Sequence, residues 1–351
     1  MSEVLIYGAY GYTGRLIVEE ACAQGLKPLL AGRDSYKTQT LTAECGLTGL
    51  AFDLSDTVAL DRALKGRLAV LHCGGPFART WRPMAEACLR QGVHYLDITG
   101  EIEVFEALAA LNQPARAAGI MLLPGVGFDV VPTDCLAAHL KQRLPTATQL
   151  TLAFMGGGGF SRGTRRTMLE GLGLGGLVRR DGRIQRVAAA WKTRRVDFGA
   201  GGLRTTVTIP WGDVATAFHS TGIPNIETYA AMPAAQIRLL RMSRYLGWLF
   251  QSSLVQGQLR RRLDRERPGP SAATRSRTGS FIWGEARDPG GRCVVSRLSC
   301  ANGYSFTARS AVAAVRRVLA GEVPAGFRTP SLAFGADFLR SLDIDIEDLP
   351  V

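Results

Sequence analysis

The chain has 351 residues, which at roughly 150 residues per domain suggests two domains. An apolar content of 46% is normal for a globular chain with a large core. The net charge of +12 favours anionic ligands, acidic partners or a membrane surface, and no zinc-finger spacing or aromatic RNA-binding signature argues for nucleic acid.

Seven cysteines without a C-x-x-C pair read as reduced thiols of a cytosolic chain, with Cys22, Cys88 and Cys135 on apolar helical faces. The four histidines, at 72, 94, 139 and 219, show no H-E-x-x-H spacing, so no metal is expected. Met1-Ser2-Glu3 runs straight into a strand, which leaves no room for a signal peptide. No apolar run reaches the length of a membrane span. A cytoplasmic protein is expected, with peripheral membrane contact as an added option.

Val4 to Tyr7 is a short apolar strand, and Gly8-Ala9-Tyr10-Gly11-Tyr12-Thr13-Gly14 follows at once. Leu16 to Ala23 then reads as a helix. Strand, glycine turn and helix form the context that a dinucleotide fingerprint requires. Gly8 turns the chain, Gly11 lets a pyrophosphate approach the backbone, and Gly14 allows close helix packing. The unpaired N–H groups of the helix start, around Tyr10, Tyr12 and Thr13, then face the phosphates. The spacing is G-x-x-G-x-x-G rather than the commoner G-x-G-x-x-G.

Lys27 to Ala31 is the second strand and ends in Gly32-Arg33, where the ribose-reading residue falls. An arginine there suits a 2′-phosphate, so NADP (as NADPH) is expected over NAD, although Asp34 follows. Leu50 to Leu54 reads as strand three. Asp53 at its end either touches the adenine edge or lies in a helix N-cap region. Leu68 to Cys73 is strand four. It runs into Gly74-Gly75-Pro76-Phe77, a loop at the carboxyl edge of the sheet, and Cys73, Gly74, Gly75 and Pro76 are assigned to the nicotinamide side. Arg82 to Gln91 is a helix, His94 to Asp97 strand five, Val104 to Leu111 a helix and Gly119 to Pro124 strand six. A glycine-rich exit leads to Asp134 and a helix through Leu144. This βα rhythm predicts a doubly wound parallel sheet.

Gly8–Gly14, Ala31-Gly32-Arg33, His72 to Phe77, Tyr95 to Glu101 and Pro124 to Asp134 together resemble the saccharopine dehydrogenase-like family. The branch most similar is that of the trans-acting enoyl reductases. The likeness continues at Trp211-Gly212-Asp213 and His219 to Asn225. It implies an NAD(P)-binding Rossmann domain followed by a mixed α/β substrate domain. Tyr10 departs from the small residue usual in the glycine loop and is expected to crowd the phosphate site. Gly74 replaces a more usual alanine.

In the second half, Gln149 to Met155 opens a new domain as a strand, and Gly156 to Gly159 is either a mobile or a substrate-cleft loop. Arg179 to Ile184 is a hairpin around Asp181-Gly182. Lys192 to Phe198 and Thr205 to Ile209 alternate as half-buried strands. Trp211-Gly212-Asp213, His219 and Asn225 are expected on strand-to-loop positions. His219 is a candidate general acid or a structural histidine, and Lys192 and Tyr229 are further donor candidates.

Residues 234–263 read as one long basic amphipathic helix, for an anionic membrane surface, its own domain or a homodimer partner. Residues 267–277 read as a linker. Gly279 to Glu285 and Cys293 to Cys300 are strands, Asn302-Gly303 a hairpin turn and Ala308 to Leu319 a helix.

The expected fold class is α/β: an N-terminal doubly wound parallel sheet over 1–147, a mixed α/β domain on a largely antiparallel sheet over 148–330, and a tail, 331–351, returning to the first domain. The expected function is NADPH-dependent hydride transfer to a polarised C=C of a hydrophobic, lipid- or polyketide-like substrate. The alternatives are a saccharopine-type dehydrogenase or imine reductase on an amino-acid-derived substrate, and a non-catalytic NADP-binding protein at a membrane surface.

Overall fold

A computed structural model describes residues 3–171, 175–245, 252–264 and 268–350. The chain forms two compact units. One comprises Met1–Val131 with Tyr304–Leu342, the other Pro132–Gly303 with Asp343–Val351.

The first unit is built on a seven-stranded sheet. Its strands are β1 Val4–Tyr7, β2 Leu29–Gly32, β3 Gly49–Ala51, β4 Ala69–His72, β5 His94–Asp97, β6 Met121–Leu123 and, far along the chain, β15 Gly326–Phe327. The order is β15-β6-β5-β4-β1-β2-β3, and every pairing is parallel. β1, β2, β4 and β5 are buried throughout, as parallel strands covered on both faces must be. Five helices of this half are α1 Tyr12–Ala23, α2 Ser35–Cys45, α3 Thr57–Leu64, α4 Phe77–Gln91 and α5 Ile102–Ala110. Leu60 and Leu64 of α3, Trp81, Met84 and Cys88 of α4 and Leu108 of α5 meet Leu5, Val70 and Tyr95 of the strands in one core. The strand order reverses between β1 and β4, so their carboxyl ends open a crevice.

The second unit carries a nine-stranded mixed sheet. Its members include β7 Gln149–Gly156, the hairpin β8 Gly176–Arg180 and β9 Arg183–Val187, β10 Thr193–Asp197, β11 Leu203–Thr208, β12 Asn225–Ala231, β13 Gly279–Arg287, β14 Cys293–Ala301 and β16 Glu347–Leu349. Among the described residues only β12 and β7 pair in parallel; the other pairings are antiparallel. Asp181 and Gly182 take positive φ, 47° and 73°, as the two-residue hairpin turn requires. Gly284 is a packing requirement: a Cβ there would stand 2.7 Å from Leu140 Cδ1 of α7 (Val131–Arg143).

Several expectations are corrected. The helix α7 belongs to the second unit, because Leu136 and Leu140 press on Gly284, so that unit begins near 132 rather than 148. Residues 304–342 join the first unit through β15, while the tail from Asp343 returns to the second as β16 on β14. Asn302-Gly303 is no hairpin. Asn302 Nδ2 donates to Gly157 O and Thr278 Oγ1, and the chain enters the helix Gly303–Leu319 directly. His219 lies in α9 Asp213–Thr221, not at a strand end; the helix buries Val214, Ala215 and Ala217 and closes on left-handed Gly222. The single helix expected over 234–263 is interrupted. α10 Ala234–Met242 ends at Ser243, and a second helix runs Ser253–Asp264; Leu246 to Gln251 lie outside the described residues. The linker read over 267–277 contains the short helix Ala272–Arg277, capped by Ser271.

Candidate functional site

The carboxyl ends of β1 and β4 meet at their glycines. Gly8 has φ 77°, and a Cβ on it would stand 2.7 Å from Gly74 N. A Cβ on Gly14 would stand 2.4 Å from Gly8 O, so α1 packs directly on the turn. Gly11 is the N-cap of α1, and no side chain caps the helix. Its first N–H groups therefore keep their capacity for an anion, strengthened by the partial positive charge of the helix end. Tyr12 begins α1, with its ring edge-on to Tyr304 at 5.1 Å, and Thr13 follows in the same turn.

Tyr10 does not crowd Gly11. Its ring lies across the end of β2, where a Cβ on Gly32 would stand 2.3 Å from Tyr10 Cε1, and its hydroxyl accepts from Asp34 N at 3.1 Å. A Cβ on Gly11 would meet only Gly8 O. Asp34 caps α2: Oδ1 accepts from Lys37 N at 3.0 Å and Oδ2 pairs with Lys37 Nζ at 2.9 Å. That carboxylate is committed to the helix end. Arg33 beside it is exposed and donates no hydrogen bond among the described residues. Asp53 neither caps α3 nor stands free. The N–H and hydroxyl of Ser55 hold its carboxyl below the usual range, and Asp56 is the cap.

The β4 exit is a buried aromatic and hydroxyl cluster. His72 is wholly buried, and desolvation pulls its pKa down to about 3, so the imidazole is neutral. Its Nε2 lies 3.0 Å from Thr80 Oγ1, and that hydroxyl can donate to Gly74 O at 2.7 Å or Pro76 O at 3.1 Å. Thr80 thus ties the first turn of α4 to the Gly74-Gly75-Pro76 loop. The Cys73 thiol is part-buried, and desolvation pushes it well above its ordinary range, which disfavours the reactive thiolate.

Sequence reasoning missed three acids. Glu101, after β5, closes the amino end of α4: Phe77 N donates to Oε1 at 2.9 Å and Ala78 N to Oε2 at 2.7 Å. Buried Asp97 accepts from Tyr95 Oη at 2.5 Å and from Thr99 N and Gly125 N, both at 2.9 Å. It locks the exit loops of β5 and β6 together, and burial lifts its pKa to about 6. Asp129, on the exit of β6, is held against Gly100, where a Cβ would stand 2.5 Å from Asp129 Oδ2. It accepts no hydrogen bond among the described residues, and desolvation raises its pKa to about 7. The only available signal was its place after a buried strand at the carboxyl edge.

The donor candidates of the second unit fall into two places. Lys192 and Tyr229 come together on Glu227, with Lys192 Nζ 2.5 Å from Oε1 and the Tyr229 hydroxyl donating to Oε2 at 2.6 Å. Burial and that carboxylate push the Tyr229 phenol well above its ordinary range. Both line a polar cleft of about 580 Å³ with Arg179, Arg194, Glu285 and Arg287. Arg194 and Arg287 both bond Glu285, and Arg179 donates to Val214 O and Gly182 O. His219 is elsewhere in this unit, in the last turn of α9, with its ring 6.0 Å from that of Phe218. Among the described residues, no three His, Cys, Asp or Glu side chains are grouped to hold a metal ion.

A glycine turn feeding an uncapped helix at the switch point of a parallel α/β sheet defines a dinucleotide-binding domain. Residues 4–123 match the family model described as "Saccharopine dehydrogenase NADP binding domain". That stretch, about a third of the chain, is similar to this NADP-binding domain, which supports NADP as the cofactor. The chain is 26% identical over 163 residues to the human saccharopine dehydrogenase-like oxidoreductase, covering 40% of this chain and 38% of that one. It is 32% identical over 151 residues to the trans-acting enoyl reductase of Mycobacterium leprae, covering 40% and 36%. The matched stretch thus spans less than two fifths of either relative. In fold it is similar over its whole length to saccharopine dehydrogenase (L-Glu forming) of Saccharomyces cerevisiae, which is also covered completely, with a TM-score of 0.69 at 13% identity.

Proposed function

We propose that the protein is an NADPH-dependent reductase that acts on a polarised C=C of a hydrophobic small molecule. The observation that carries the reading is the Asp129 carboxyl, which accepts no hydrogen bond among the described residues, at the carboxyl edge of the sheet that also bears the glycine turn. NADPH, when bound, supplies the hydride. The backbone of Gly11 to Thr13 would hold the diphosphate, and Arg33 would meet the 2′-phosphate. Hydride added at the β-carbon of a conjugated substrate leaves an enolate, which must gain a proton at the α-carbon. Asp129, holding its proton up to about pH 7, is the chain's best-matched donor in that region.

Two further observations support a conjugated, apolar substrate over an amino-acid-derived imine. The enoyl reductase of Mycobacterium leprae is among the relatives. In the polar cleft of the second unit, Lys192, Arg194 and Arg287 are already paired with Glu227 and Glu285, which leaves them poorly placed to receive the carboxylates of an amino-acid substrate.

The test is NADPH oxidation by the purified protein with enoyl thioesters, enones and cyclic imines, using 4-deuterated NADPH. Label at the β-carbon of an enoyl or enone product is expected. Turnover with imines alone, or with none of them, overturns the reading.

A further inference from the structure

The outward face of α10 has the wrong chemistry for a helix in contact with water. Its inner face is conventional: Ile237 is buried and Leu240 part-buried against Ala190, Val207, Ile209 and Met232. Ala235, Leu239 and Met242, at i, i+4 and i+7, lie on the opposite side of the same helix. Leu239 and Met242 are 67% and 61% exposed, and Tyr245 just beyond is 82% exposed. A surface helix normally carries polar residues there. Arg238 and Arg241 flank the stripe, are exposed, and make no hydrogen bond or ion pair among the described residues. From Thr228 to Leu263 the chain has six arginines and no acidic residue.

The helix is fixed in this presentation. Arg244 Nε donates to Ala189 O at 2.6 Å and Nη2 to Ala190 O at 2.8 Å, anchoring the end of α10 to its own unit. Arg244 is therefore structural, and the charges open to a partner are Arg238 and Arg241.

We propose that α10 docks the protein on the surface of an anionic phospholipid bilayer. Leu239 and Met242 would enter the boundary between headgroups and acyl chains, Tyr245 would sit at headgroup level, and Arg238 and Arg241 would meet lipid phosphates. Two features favour lipid over a protein partner. The two open charges beside the apolar stripe, Arg238 and Arg241, are of one sign, which complements a negative sheet of headgroups. A second copy of α10 would instead bring like charges together. No helix among the described residues is long and apolar enough to cross a membrane, so the contact is with the surface. The inference does not rest on the reduction chemistry.

The test is flotation of the full chain with vesicles of phosphatidylcholine alone or with added phosphatidylserine, at low and high salt. Binding only to the phosphatidylserine vesicles is expected, weakening as salt rises. Arg238→Glu with Arg241→Glu should lower partitioning by about tenfold or more. Leu239→Glu with Met242→Glu should abolish it. Each variant should keep the full chain's rise in melting temperature with NADPH, which shows that the fold survives. Failure of the full chain to float, or equal flotation by the variants, overturns the proposal. So does a dimer in solution that Leu239→Glu dissociates, since the face would then be a protein interface.

Discussion

Asp129 is held against Gly100, which leaves no room for a Cβ: an added methyl would lie 2.5 Å from Oδ2 and 3.0 Å from the Asp129 Cβ. Backbone from the β5 exit thus sets the position of an acid on the β6 exit. Gly100→Ala should displace the carboxyl without touching the phosphate turn. We expect kcat to fall by about tenfold to a hundredfold with little change in NADPH affinity, because small misplacements of a reacting group are costly. Asp129→Asn, which removes the proton but keeps the shape, should lower kcat by roughly 10²–10⁴-fold. Unchanged kcat in both variants would remove Asp129 from the chemistry.

The same carboxyl has a pH signature. Its pKa rises from 3.8 in the unfolded chain to about 7 in the folded one. Between those values the folded state holds a proton that the unfolded state has lost, so stability is greatest below about pH 4 on this account and declines as pH rises towards 7. Asp97, raised to about 6, acts in the same direction over a narrower window. Asp129→Asn should flatten the decline in melting temperature between pH 5 and 7. It should also remove the fall in kcat above about pH 7 that loss of a protonated acid predicts. A wild-type kcat that keeps rising well above pH 7 would contradict a protonated Asp129 as donor.

The nucleotide turn was legible because its signal is local. A buried strand, three glycines at fixed spacing and a helix need no distant residue to make sense, and Arg33 follows from the strand after them. The α9 helix was not legible. Asp213 to Thr221 is short, with two threonines and a valine among nine residues, and it is helical because Val214, Ala215 and Ala217 find a buried wall. Asn302-Gly303 carries a strong hairpin signature, yet Asn302 spends its amide on Gly157 and Thr278. β15 is two residues long, and its pairing with β6 has no periodicity to read. Asp129 was passed over because the residue type is ordinary. Its desolvation and its lack of a hydrogen-bond donor among the described residues set it apart, and both are tertiary facts.

On the proposed reading, Arg33 would decide between the two nicotinamide nucleotides. Asp34, which would oppose a 2′-phosphate if it faced the ribose, is held by Lys37 N and Nζ. Arg33→Ala should raise the NADPH dissociation constant by about tenfold or more, as loss of a charge-assisted contact does, and leave that of NADH within about threefold. Isothermal titration with both nucleotides checks it. Equal losses would assign Arg33 to general steering. Lys37→Ala has two consequences, since it frees the Asp34 carboxylate as well as removing a cation, so it should narrow the preference for NADPH further.

Glu101 tests whether the start of α4 is a second anion site or a closed one. α4 has Pro76 at its N-cap and no capping side chain of its own, so its first N–H groups would be open but for the carboxylate from the β5 exit. Hydrogen bonds from helix N–H groups to a charged acceptor contribute roughly 1.5–3 kcal/mol, and the helix dipole adds to them. Glu101→Ala should therefore cost about 2 kcal/mol and lower the melting temperature by several degrees. Glu101→Gln should recover part of the loss, since one amide oxygen still accepts. If the nucleotide diphosphate instead used this helix end, Glu101 would compete with it, and Glu101→Ala would tighten NADPH binding. The glycine turn at Gly8 to Gly14 leaves no need for that, so the expected outcome is a less stable protein whose NADPH affinity is unchanged.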